Sequence, residues 1–311
     1  MKFNTKKFIK EKIAEIKKAA GYKKALVALS GGVDSTTCAF LAYRALGKNL
    51  IAVFLDSGLM RERDEKEVLK IGEMMEVPVK VARVSDKFFT ALKGKIDPEE
   101  KRWAFRECFY QALAEIVKIE GASFLIQGTI AADIKETKRG IKTQHNVLEQ
   151  IGIDPKKYGF SVIEPLKELY KPEVRAIAKA LGLPKEVFER QPFPGPGLAT
   201  RIVGEVTPER VRTERLASKI IEEELVNFKP FQCFAVLLFD RATGMVGGKR
   251  LLGEIVVIRS VESTDALTAT PTKIPWLTLE KICQKITGEV PGVVKVLYDL
   301  TPKPPSTIEF I

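Results

Sequence analysis

Histidine is nearly missing from this 311-residue chain, which has only His145, and the four cysteines are too scattered to act together. Cys38, Cys108, Cys233 and Cys283 show no C-x-x-C spacing, which argues against a structural zinc site and for a reducing, cytoplasmic setting. No apolar stretch reaches the roughly 18 residues of a membrane span, and the start, Met1 to Lys7, runs into an amphipathic pattern instead of a signal peptide. There is no internal repeat and no low-complexity tract. What remains is an ordinary composition of 45% hydrophobic and 29% charged residues, enough for two domains with a substantial core.

Acidic residues are outnumbered, 40 against 51 Lys and Arg, giving a formal charge of +11. Such a balance suits nucleic acid, but the basic residues interleave with glutamates, as from Glu11 to Lys18 and Glu62 to Lys70. That pattern is a solvated surface, and it favours small anionic substrates without requiring a polymer.

Phe8, Ile9, Ile13 and Ile16 predict an amphipathic N-terminal helix. Apolar runs at 25–29, 51–55, 77–84, 124–127 and 161–165 then alternate with helix-length segments. This is the pattern of an α/β fold, a parallel twisted sheet with helices on both faces. A further helix is expected over 171–183, with Pro172 in its first turn and Gly182 near its end. Arg190-Gln191-Pro192-Phe193-Pro194-Gly195-Pro196-Gly197-Leu198 cannot continue helix or strand and marks a boundary, dividing the chain into domains 1–190 and 191–311. Beyond it a helix over about 208–226, β-rich runs at 233–239, 254–262 and 293–301, and a helix at 277–288 predict a smaller α+β domain with an open sheet able to pair with a second copy.

The most informative segment is Ser30-Gly31-Gly32-Val33-Asp34-Ser35, between the first strand and the helix starting at Thr36. Consecutive glycines let the backbone approach an anion, and the first N–H groups of a helix lack acceptors and carry the positive end of its dipole. Ser30 and Ser35 add hydroxyls. No Lys-Ser/Thr pair closes the turn, which argues against ordinary γ-phosphoryl transfer. Asp56-Ser57-Gly58 ends the second strand. After the fourth, Gln127-Gly128-Thr129 leads to Asp133 and Glu136, which share a face on a helical turn. Two carboxylates beside a polyphosphate imply a bridging Mg²⁺. Ile141-Lys142-Thr143-Gln144-His145-Asn146 is polar and placed to close as a lid, where Lys142 neutralises charge on a leaving phosphate.

These segments, with the proline-glycine junction and the terminal Lys303-Pro304-Pro305-Ser306-Thr307-Ile308-Glu309, resemble the ATP pyrophosphatase (PP-loop) subunit of GMP synthetase over nearly the whole chain. The resemblance implies an adenylating domain followed by a dimerisation domain. It also implies ATP-dependent amination of XMP to GMP through adenyl-XMP, with release of pyrophosphate and AMP. By resemblance, Ser30, Gly31, Gly32, Val33, Asp34, Ser35, Asp56 and Gly128 bind ATP, and Asp34 and Asp133 hold Mg²⁺. Asp133, Glu136, Lys142 and His145 serve catalysis, and Arg102, Gln232, Lys303, Thr307, Ile308 and Glu309 bind XMP. Relatives commonly have histidine at the positions of Gln144 and Gln191, and glutamine takes up no proton near neutral pH. With the sole histidine in the lid and the first strand beginning near residue 25, no glutaminase is expected within the chain. The implied partners are therefore a separate glutaminase subunit supplying ammonia and a second copy of the chain, with neither nucleic acid nor membrane.

Gly32→Val is expected to raise the KM for ATP by about tenfold or more by obstructing the bend. Lys303→Ala and Glu309→Ala should chiefly raise the KM for XMP in steady-state assays. Unchanged XMP kinetics in both terminal variants contradicts the role given to the tail.

Overall fold

The computed structural model describes residues 3–131, 133–134, 159–188 and 190–311. Contacts divide it into two compact units, Met1–Asp56 with Arg63–Val84 and Glu107–Arg190, and Ser57–Glu62 with Ser85–Arg106 and Gln191–Ile311.

The first unit is built on five parallel strands, β1 (Lys24–Ala28), β2 (Leu50–Asp56), β3 (Val79–Arg83), β4 (Ala122–Ile126) and β5 (Ser161–Ile163), in the order β3-β2-β1-β4-β5. All five predicted strands are present. Ala25, Leu26 and Val27 of β1 and most of β2 are buried, as the unbroken apolar runs required of strands covered on both faces. Among the helices, α1 spans Thr5–Ala20, α2 Val33–Leu46, α3 Asp64–Met74, α4 Ser85–Leu92 and α5 Pro98–Glu120. For this strand order the right-handed rule for parallel crossovers puts α2 and α3 on one face of the sheet and the connection from β3 to β4 on the other. The chain leaves β1 towards β2 but leaves β4 towards β5, so strand order reverses between β1 and β4. Their carboxyl ends flank the crevice where ligands of such sheets bind.

Helix α1 starts at Asn4, whose side chain accepts the Lys7 N–H at 3.0 Å. Its buried face is Phe8, Lys12, Ile16 and Ala20, so Ile9 and Ile13 lie at the margin instead of the centre of the stripe. Lys12 is tolerated there because its stem is buried while its ammonium reaches Glu15 at 2.9 Å and Glu168 at 3.5 Å. The helix expected over 171–183 is α6 (Lys171–Ala180), where Glu173 accepts the Tyr170 N–H at 2.8 Å, followed by the short α7 (Lys185–Phe188).

In the second unit, α8 (Pro208–Glu224) precedes an antiparallel pair, β6 (Gln232–Val246) and β7 (Lys249–Glu262), with β8 (Thr270–Pro271), α9 (Trp276–Glu289) and β9 (Val293–Tyr298), the last parallel to β7. The runs expected at 233–239 and 254–262 are longer than predicted. They continue as a hairpin closed by Gly247 and Gly248, both at positive φ (56° and 77°), the conformation a two-residue hairpin turn needs. Two stretches placed by sequence before the boundary, Ser57–Glu62 and Ser85–Arg106, belong to this unit. Hydrogen bonds to the main chain explain why. Leu198 N donates to Leu59 O at 2.8 Å, Arg215 reaches Met60 O at 2.9 Å, Gly94 N reaches Glu205 at 2.9 Å, and Lys101 Nζ reaches Ile202 O at 2.6 Å.

The C-terminal tail is fixed by Arg259, which is fully buried and donates to Thr301 O and Thr307 O at 2.7 Å, to Ile308 O at 3.4 Å and pairs with Asp299 at 3.0 Å. Arg259→Met is expected to cost about 3–5 kcal/mol, since it strands the partly buried Asp299 carboxylate and the tail carbonyls that Arg259 gathers. Denaturant unfolding should show that loss together with faster proteolysis after residue 298. A stability within about 1 kcal/mol of the parent would contradict it.

Candidate functional site

The bend from β1 into α2 is held open by its own serines. Ser30 Oγ and Ser35 Oγ lie 2.9 Å apart, Ser35 Oγ accepts Ser30 N–H at 3.3 Å and donates to Gly32 O at 3.1 Å, and Gly32 N reaches Ser30 Oγ at 3.4 Å. Gly31 sits at φ +78°, and a Cβ there would collide with the Arg190 guanidinium and Val68. No side chain caps α2 at Gly32. Its first N–H groups therefore face the crevice without intrahelical acceptors, the arrangement that binds phosphate.

Gly128 brings the loop after β4 against this bend. A Cβ on it would stand 3.1 Å from the backbone of Asp34 and Ser35, so a larger residue would push the two loops apart by a few tenths of an ångström. Gln127 extends the junction, its Nε2 donating to Tyr110 Oη at 2.8 Å and its carbonyl accepting the Cys38 thiol at 3.5 Å. Burial pushes the Cys38 thiol well up, so it supplies no thiolate.

Charge enters the site through Asp34 and Lys171. Asp34 Oδ2 accepts Lys171 Nζ at 2.5 Å, while Oδ1 is buried and has no partner among the described residues. An unpartnered buried carboxylate oxygen is costly, and its position at a helix start with open N–H groups suits a cation shared with phosphate. Among the described residues no three His, Cys, Asp or Glu side chains cluster for a metal. A Mg²⁺ held chiefly by phosphate oxygens and water needs only one or two carboxylates, and Asp34 Oδ1 fits that demand. Arg190 clamps the outer side, donating to Ser30 O at 3.4 Å and pairing with Asp64 and, at 3.2 Å, with Glu67.

The other expected residues are distributed as follows. Asp133 Oδ2 accepts the Ile130 N–H at 3.0 Å, shaping the turn after Gly128. Asp56 ends β2 and pairs with Arg83 at 2.8 Å, an arginine that also forks onto Glu65. Glu136, Lys142, Gln144 and His145 lie outside the described residues. In the second unit, Glu309 is brought together with Gln232, whose amide donates to it, and with Arg201 at 3.3 Å. Thr307 and Ile308 are held beside it by Arg259. Lys303 Nζ instead donates to Ala266 O at 2.8 Å and Arg102 pairs with Glu99 at 2.5 Å. Gln191 is structural here: its carbonyl accepts Cys233 N–H at 3.2 Å and its amide reaches Pro230 O at 3.3 Å.

Sequence reasoning missed Lys171, Arg190 and Arg201 as participants. Lys171 carried a signal, because a cation opening a helix opposes the helix dipole unless an anion lies beside it.

Comparison with known proteins adds two family matches: residues 5–184 fit the PP-loop domain and residues 219–310 the GMP synthase C terminal domain. A GMP synthase [glutamine-hydrolyzing] subunit of Archaeoglobus fulgidus is 50% identical over 308 residues, covering 99% of both chains. The protein of the same description from Methanocella arvoryzae is 52% identical over 305 residues, 97% of this chain and 98% of the other. Among solved structures, NMN synthetase from Francisella tularensis superposes with a TM-score of 0.50 at 20% identity, over 63% of this chain and 78% of that one, a likeness of fold.

Lys171→Met and Gly128→Ala should each weaken inorganic pyrophosphate binding about tenfold, equivalent to ~1.4 kcal/mol. Isothermal titration calorimetry measures it, and undiminished affinity in both variants contradicts the geometry described.

Proposed function

The chain belongs to the family of GMP synthase synthetase subunits, which are ligases, and from that membership we propose that it aminates XMP to GMP with ATP in de novo GMP synthesis. The observation that carries the reading is the open bend at Ser30–Ser35, with Lys171 and the unpartnered Asp34 Oδ1 beside it.

In the first step the C2 oxygen of XMP attacks the α-phosphorus of ATP. The bond from that phosphorus to the bridging oxygen breaks, and pyrophosphate leaves with the electron pair. The amides and hydroxyls of the bend hold the departing group, and Lys171 offsets its growing negative charge. Asp34 and Asp133 would hold a Mg²⁺ here, and the ion would supply further charge neutralisation at the phosphates. In the second step ammonia attacks C2 of adenyl-XMP, the C2–O bond breaks, AMP leaves and the attacking nitrogen loses a proton, giving GMP. Glu309, fixed by Arg201 and Gln232, offers a carboxylate to the ring N–H groups of the purine, with Arg102, Lys303, Thr307 and Ile308 completing the XMP site. Glu136, Lys142 and His145 form the rest of the catalytic set.

Ammonia comes from a separate glutamine amidotransferase, consistent with the description of the relatives as one subunit of a glutamine-hydrolyzing synthase. The assembly is a homodimer through the second unit, whose sheet and hairpin expose Phe239, Met245, Leu252 and Leu297. The enzyme works in the cytoplasm and binds no nucleic acid. No described helix is long and apolar enough to cross a membrane.

The chain incubated with ATP, Mg²⁺, ammonium and XMP should form GMP, AMP and pyrophosphate in equal amounts. Glutamine should replace ammonium only after a glutaminase is added. GMP formed from glutamine by the purified chain alone contradicts the division of labour, and tRNA-dependent turnover without XMP contradicts the substrate.

A further inference from the structure

Beneath the tail of the second unit, buried polar groups are left incompletely satisfied. Arg201, 1% exposed, reaches Glu309 with two nitrogens at 3.3 and 3.4 Å, whereas a tight charge-assisted pair lies at about 2.7–2.9 Å. Its guanidinium is stacked on Phe234 at 4.0 Å and Phe193 at 5.0 Å, and its remaining terminal nitrogen has no acceptor among the described residues. Glu214, on α8, is fully buried. Its Oε1 accepts the Ser218 hydroxyl at 2.6 Å, and Ser218 Oγ in turn accepts the Ala235 N–H at 2.9 Å, while Oε2 has no partner among the described residues. One open donor and one open acceptor thus remain on oppositely charged side chains.

We propose that Glu214 is a positioning residue for the purine-binding tail: by gaining or losing one proton it decides whether Arg201 is held by Glu309 alone or shared between two carboxylates. This rests on the reading of Glu309 as an XMP ligand. The charged and polar groups acting on Glu214 are Arg201, Ser218, Glu222 and Arg215. Arg215 is engaged by Gly58 O at 2.5 Å and Met60 O at 2.9 Å, and Glu222 by Arg61 at 3.4 Å. Arg201, with its open donor, is the group able to respond. Burial raises the Glu214 carboxyl to about 7, against the pull of Arg201 and the Ser218 hydroxyl, so both states are accessible near neutrality. With Glu214 neutral, Glu309 is the sole counter-charge of Arg201 and its carboxylate is fixed for the ligand. With Glu214 ionised, the guanidinium is divided and Glu309 is less well held.

The test is the KM for XMP at about pH 6 and about pH 8, with saturating ATP and ammonia. The parent should show a rise of about fivefold or more beyond any change arising from XMP itself. Glu214→Gln should lack that rise and keep the low-pH value, and Ser218→Ala, which removes a bond favouring the ionised form, should move the transition to higher pH. Arg201→Lys should raise the KM at both pH values. Profiles that match the parent in Glu214→Gln, or in Ser218→Ala if the first variant does not fold, overturn the inference. Glu309→Ala separates the two levels. If it leaves the KM unchanged, the tail is not the XMP site. If it raises the KM while the Glu214 and Ser218 variants keep the parental pH dependence, the site stands and the proton-dependent positioning falls.

Discussion

The structure depends on one backbone constraint: a strand must turn into a helix within two glycines without filling the space in front of the helix. At Gly31 that turn has positive φ, and at Gly128 a neighbouring loop approaches so closely that a Cβ would press on the backbone of Asp34 and Ser35 at 3.1 Å. Because strand order reverses at this point, the exposed N–H groups of α2 open into a crevice instead of a packed interface. The serines at either end bind each other and the bend, which keeps the loop in shape without a side chain capping the first N–H groups of α2. Preorganised donors of this kind need no rearrangement when negative charge develops, the property expected of a site that releases pyrophosphate.

The second unit solves a different problem, that of ordering a chain terminus. A short tail has little apolar surface with which to offset its conformational entropy. Buried arginines supply the missing interactions: Arg259 gathers the carbonyls of Thr301, Thr307 and Ile308, and Arg201 and Gln232 hold the Glu309 carboxylate. Each arginine lies within an apolar run whose neighbours form the core. The polar network therefore specifies one position for the tail and fixes the Glu309 carboxylate in place.

Most of the first unit was legible in the sequence, because a sheet covered on both faces leaves unbroken apolar runs and the bend carries an unusual Ser-Gly-Gly…Asp-Ser pattern. The helix of residues 171–180 and the Asp56 and Gly128 placements followed from the same alternation. Less legible were contacts set by tertiary packing. The 57–62 and 85–106 stretches join the second unit through hydrogen bonds to the main chain that leave no periodic trace. The hairpin extension past Phe239 was hidden by polar residues and by Gly244 and Gly253, which make room for Val294. Gln191, which looked like a lost histidine, proved to be a backbone tie to Cys233 and Pro230. Arg201 and Arg259 had a readable sign, a cation inside an apolar run, which implies a buried partner without naming it.

The central claim is that main-chain amides of the Ser30–Ser35 bend grip the departing pyrophosphate. Its most direct test is the amide NMR spectrum of the protein titrated with pyrophosphate and Mg²⁺. The account predicts saturable shifts of the Gly31, Gly32 and Val33 N–H signals at one common affinity. Saturation of binding with those three signals unmoved would contradict it.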